Sequence, residues 1–67
     1  MSNRKTMDYM VIGDNLRNLR ENKMNMTQLQ VVTELNISYN HYAKIEQGMR
    51  GMSLEMLYKL MNLFDTD

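Results

Sequence analysis

The sequence predicts an all-α fold, a compact four-helix domain, on three observations. The chain contains no proline, and no stretch of five or more residues alternates apolar with polar in the two-residue period of a half-buried strand. Apolar side chains instead recur at three- and four-residue steps, the spacing that lines one face of a helix. A helix-capping residue punctuates most of these runs. At 67 residues the chain holds one domain with a small core, the size at which a partner often adds stability.

The first helix is marked by Ile12, Leu16 and Leu19, with Asn15, Arg17 and Asn18 on its outer face, and its pattern runs out near residues 22–24. The preceding stretch, residues 6–12, reads either as a short extended arm or as the lead-in to that helix. Residues 1–11 are therefore set apart as an N-terminal arm, residues 12–64 as the domain, and residues 65–67 as a C-terminal end.

Thr27-Gln-Leu-Gln30 has the form of a capping box, in which the threonine oxygen accepts from the third amide on and the glutamine reaches back to the threonine amide. The helix it opens turns Val31, Val32 and Leu35 inward. It ends at Asn36, a residue type that tolerates the left-handed conformation of a tight turn. Ser38 caps a third helix, which buries Tyr42 and Ile45, with Ile37 plugging the turn, and stops at Gly48. Gly51 and Ser53 mark the next loop and cap, and a fourth helix spans residues 54–64. Two capped helices joined by so short a turn have helix-turn-helix geometry.

Composition narrows the function. The chain has no cysteine and a single histidine, His41, so disulfides and thiolate sites are excluded and a zinc site lacks ligands. No metal and no cofactor is expected. An enzyme is disfavoured for want of a nucleophile–base set or a glycine-rich phosphate loop. No apolar run approaches the roughly 18 residues of a membrane span, and the polar start leads into no signal-peptide core. A cytoplasmic location away from the membrane is the expectation. Eight basic residues balance eight acidic ones, which at first argues against a phosphate-rich partner. The charge is unevenly spread, however: residues 1–23 carry five basic side chains against three acidic, and residues 51–67 one against three. The nine methionines suit adaptable packing or an interaction surface.

The stretch Gln28-Leu-Gln-Val-Val-Thr-Glu-Leu-Asn-Ile-Ser-Tyr-Asn-His-Tyr-Ala-Lys-Ile-Glu-Gln-Gly48 resembles the helix-turn-helix of lambda-repressor-like, Cro/CI-type DNA-binding domains, the XRE family. Ile12-Gly-Asp-Asn-Leu-Arg-Asn-Leu-Arg20 is similar to the family's first helix, and Ser53-Leu-Glu-Met-Leu-Tyr-Lys-Leu-Met to its fourth. The resemblance covers residues 12–64, and its sharpest parts are Thr27-Gln28 and Ile45-Glu46-Gln47-Gly48. Four positions depart from the family pattern. Val32 replaces the alanine of the second helix, Asn36 the turn glycine, and the loop at residues 23–26 is one residue longer. The fifth helix, which many members use to dimerise, is missing or vestigial.

The resemblance implies that the third helix enters the major groove while the second crosses the backbone. Tyr39, Asn40 and Lys44 are then the base-reading side chains. Asparagine matches the N6/N7 edge of adenine, lysine can donate to guanine, and tyrosine can pack on a thymine methyl. Gln28 and Ser38 are assigned to phosphate, the former beside free amides at a helix start. Gln47 and Arg50 clasp the backbone on the far side, although Arg50 reads equally as an idle surface charge. Arg20 and Glu46 are implied as a structural ion pair. In the fourth helix, Leu54, Leu57, Met61 and Phe64 form one apolar line, read as core-facing, and Met56, Leu60 and Leu63 a second. The second line is the candidate dimer interface, or else is covered by further chain. Two functional readings result: a dimeric repressor that binds double-stranded DNA at a near-palindrome, and an antitoxin-like module whose main role is to sequester a protein partner.

Overall fold

A computed structural model describes residues 8–65 and is all-helical there. Sequence readings that fall on residues 1–7 and 66–67 lie outside the described residues. Four α-helices follow one another: α1 Tyr9–Asn18, α2 Gln28–Leu35, α3 Tyr39–Glu46 and α4 Leu54–Phe64. α1 packs on α3, and α2 packs on both α3 and α4.

Each helix starts on a short polar side chain that satisfies an otherwise orphaned amide. The Asp8 carboxylate accepts from the Met10 N–H at 3.0 Å, so α1 begins at Tyr9, three residues ahead of the start that the apolar spacing predicts. Residues 9–11 thus belong to the helix. Thr27 closes the full capping box, its Oγ1 accepting from Gln30 N–H at 3.1 Å and its own N–H donating to Gln30 Oε1 at 2.8 Å. Ser38 accepts from His41 N–H at 3.2 Å, and Ser53 from Met56 N–H at 3.1 Å.

The helix ends are as definite. After Asn18 the first helix widens into a π-helical turn, Leu19–Lys23, closed by the Met24 N–H on the Leu19 carbonyl at 2.9 Å. Asn36 adopts the left-handed conformation, φ 57° and ψ 50°, and the Ile37 N–H reaches back to the Val32 carbonyl at 3.1 Å. At the end of α3, Gly48 takes φ +79°, and Met49 N–H bonds the Lys44 carbonyl at 2.9 Å. That pattern needs a left-handed residue, for which glycine carries no steric cost. The Lys23 ammonium donates to the Asp65 carbonyl at 2.9 Å, tying the end of α4 to the end of the π turn.

The core is Leu16, Val31, Val32, Tyr42, Ile45, Leu60 and Phe64. Gly13 sets the crossing of α1 over α3: a Cβ there would lie 2.6 Å from the Ile45 carbonyl oxygen. Only a residue without a side chain permits so close an approach. Val32, at the position where the family has alanine, is nonetheless buried.

The face of α4 differs from expectation. Leu60 is fully buried, so it is a core residue and not a dimer contact. Met56 and Leu63 are half-buried against the same cluster. Leu54, expected inside, is 83% exposed. Both lines on α4 are apolar and adjacent, so periodicity alone does not select between them. The seating of α4 against α2 and the π turn does so.

Candidate nucleic-acid interface

The Ser38 cap fixes where α3 begins, and burial fixes its rotation. Tyr42, Ile45 and Glu46 point inward, which leaves Tyr39, Asn40, Lys44 and Gln47 exposed on the other side. All three residues assigned to base reading therefore share one open face. Arg50 is also exposed, but it borders an apolar hollow that includes Tyr9, Ile12 and Met52.

Beneath this face lies a buried polar cluster. The Arg20 Nε donates to Glu46 Oε2 at 2.7 Å and its Nη2 to Glu46 Oε1 at 2.9 Å, a bidentate fork that suits guanidinium and carboxylate. Arg20 Nη1 donates to the Met26 carbonyl at 3.0 Å. The two residues are 7% and 1% exposed. Burial alone would raise the Glu46 carboxyl, but the hydrogen bonds from Arg20 and Gln28 and the guanidinium charge hold it below its ordinary value. The bonds to Glu46 and its negative charge in turn hold the Arg20 guanidinium above its own.

Tyr42 ends in the same pocket, and burial beside Glu46 pushes its hydroxyl well above the usual phenol range. The hydroxyl feels the Glu46 charge but finds no partner in hydrogen-bonding geometry among the described residues.

Gln28 connects this cluster to the surface. Its Nε2 donates to Glu46 Oε1 at 2.9 Å, and its Oε1 accepts from the Tyr39 hydroxyl at 3.2 Å. The half-buried Gln28 side chain is thus held from both sides rather than extending freely from α2. A primary amide carries two N–H donors, so one remains after the bond to Glu46. The first-turn amides of Gln28 and Leu29 have no intrahelical acceptor. Together they form a donor-rich edge next to Tyr39.

Two residues on this edge escape sequence reasoning. Arg17 stands with its Nε 3.7 Å from Glu46 Oε1 and its side chain 42% exposed. The sequence signal for it was present, since Arg17 lies one turn before Arg20, but amphipathic spacing assigns it to a plain polar face. Leu29 is exposed beside Gln28 and Tyr39 along the rim of a shallow hollow. An apolar residue in the first turn of a helix carries no comparable signal.

These features define a class: a helix-turn-helix domain whose second helix of the pair presents an open polar face. A family model described as helix-turn-helix matches residues 16–67. The chain belongs to this family, of the Cro/CI or XRE type, and is a DNA-binding regulator of that type. No curated protein and no solved structure matches it. Among the described residues no helix is long and apolar enough to cross a membrane.

Proposed function

We propose that the chain is a sequence-specific dimeric repressor that inserts α3 into the major groove of a near-palindromic operator. The observation that carries the reading is the common exposed face of Tyr39, Asn40 and Lys44 above an internally neutralised ion pair. Asn40 reads an adenine edge and Lys44 a guanine edge. Tyr39, steadied by Gln28, packs on a thymine methyl.

Gln28 binds phosphate through its remaining amide hydrogen, and Arg17 adds a cation to the same phosphate. Ser38, Gln47 and Arg50 complete the backbone contacts. With Arg20 cancelling Glu46, the cations on this side are Arg17, Lys44 and Arg50. A chain of zero net charge can in this way still bind a polyanion.

The sequestering, antitoxin-like reading drew on the abundance of methionine. In the structure Met24, Met26, Met52 and Met56 pack against the core, and among the described methionines only Met10 and Met49 are exposed. That weakens one of its two supports, the other being the zero net charge.

Selection of bound duplexes from a random DNA pool tests the proposal. The expected product is a short consensus with two related halves. Recovery of no consensus, from a chain shown to be folded, overturns it.

A further inference from the structure

The outer face of α4 is apolar and faces solvent. Leu54 is 83% and Tyr58 69% exposed, and together with Glu55, Leu57 and Met61 they border a shallow hollow. Leu57 and Met61 also line a second apolar hollow, about 230 Å³, between α4 and α1. An apolar strip with a hollow along it accepts a ridge of side chains from another helix. The pattern is self-complementary about a point between Leu57 and Tyr58. Under a two-fold axis through that point, an antiparallel second α4 sets Leu54 opposite Met61 and Leu57 opposite Tyr58 at both ends. The same axis brings Glu55 of each helix toward Lys59 of the other. Among the described residues neither Glu55 nor Lys59 enters an ion pair, so both are available across the seam. The chain's zero net charge also removes long-range repulsion between two copies.

We infer that this face, formed by Leu54, Leu57, Tyr58 and Met61, is where a second copy of the chain docks, antiparallel and two-fold. The inference rests on the dimeric reading above and assigns its surface, in place of the Met56, Leu60 and Leu63 line that the core absorbs. An eleven-residue helix is only about 16 Å long at 1.5 Å per residue. A helix pair of that length buries less than the ~800 Å² per partner of a standard interface. The free dimer is therefore weak, and two adjacent half-sites on one duplex raise its effective concentration and complete it.

The cysteine-free chain allows a direct test in the absence of DNA. A Tyr58→Cys variant places a thiol beside the axis and, at chain concentrations high enough to populate the weak pair, forms a disulfide-linked dimer on mild oxidation about ten times faster than a Glu34→Cys control on α2 at the same concentration. Leu54→Lys combined with Tyr58→Lys retains the helical circular dichroism of the wild type and its binding to a single half-site. It loses roughly 100-fold in affinity for a duplex with two half-sites.

Equal cross-linking of the two cysteine variants overturns the inference. So does full two-site affinity in the lysine variant. A monomer whose Leu54→Lys variant loses stability also overturns it, because a segment of the same chain would then cover the face. The DNA reading fails separately: cross-linking through Tyr58→Cys in a chain that binds no duplex leaves the seam intact and removes the regulator.

Discussion

Replacing Glu46 by alanine removes the acceptor of three hydrogen bonds, at 2.7, 2.9 and 2.9 Å, and leaves the Arg20 guanidinium, 7% exposed, with the half-exposed Glu21 carboxylate at 3.4 Å as its remaining counter-charge. Breaking a buried pair from one side costs about 3–5 kcal/mol, because the remaining charge stays desolvated. At roughly 0.05–0.15 kcal/mol per residue, a domain of this length has a total stability of about 3–10 kcal/mol. A loss near 4 kcal/mol lowers the folded-to-unfolded ratio about a thousandfold. Urea denaturation followed by circular dichroism should therefore find Glu46→Ala about 4 kcal/mol less stable than the wild type, with its midpoint displaced to far lower urea.

The double variant Arg20→Met with Glu46→Leu isolates the cause. It removes both charges while filling the volume, and it should recover to within about 1 kcal/mol of the wild type. A single-variant loss under about 1 kcal/mol, or a double variant as unstable as the single, would refute the stranded-charge argument.

The remaining predictions concern pH, packing and phosphate contact. Because the folded Glu46 carboxyl lies below its ordinary value of 4.5, its contribution to stability is complete above that value. It is lost as pH falls through the lower folded value, where the Glu46 carboxylate takes up a proton and the pair with Arg20 is broken. Urea midpoints measured from pH 7 to pH 3 should drop more for the wild type than for the charge-free double variant. Gly13→Ala drives a methyl into the Ile45 and Glu46 carbonyls, backbone that cannot rotate away, at a cost of about 1–3 kcal/mol. Calorimetry should show Tm lowered by roughly 4–8 °C per kcal/mol. Gln28→Ala should weaken binding to every duplex without changing the slope of affinity against salt, because a neutral amide displaces no counterion, whereas loss confined to one sequence would count against a phosphate role.

Much of this fold is legible in the residues because capping chemistry is local. Thr27, Ser38 and Ser53 each announce a helix start, Asn36 and Gly48 each announce a left-handed stop, and the chain obeys all five. The Arg20–Glu46 pair, separated by 26 positions, has no local signal and is reached only through resemblance to the helix-turn-helix pattern. What escapes reading depends on tertiary choice. The rotation of α4, which buries Leu60 and exposes Leu54, is decided by its neighbours between two equally apolar lines. The π turn at Leu19–Lys23 is a hydrogen-bond shift that side-chain spacing does not record.

The face of α3 is legible because Tyr42, Ile45 and Glu46 must all turn inward. The inward bonds of Gln28 are not, since glutamine serves equally in a capping position, a phosphate contact or an internal bridge. The same ambiguity hides Arg17, whose place beside Glu46 depends on the packing of α1 against α3.

The most direct test of the central claim is a binding titration of Asn40→Ala against a selected operator and a set of single-base variants of it, at one fixed salt concentration. If α3 reads bases from its exposed leading face, the variant loses about 1–3 kcal/mol on the operator and discriminates less at one base pair in each half, while retaining the wild-type affinity for unrelated duplex. Unchanged discrimination at every position, in a folded variant, would contradict it.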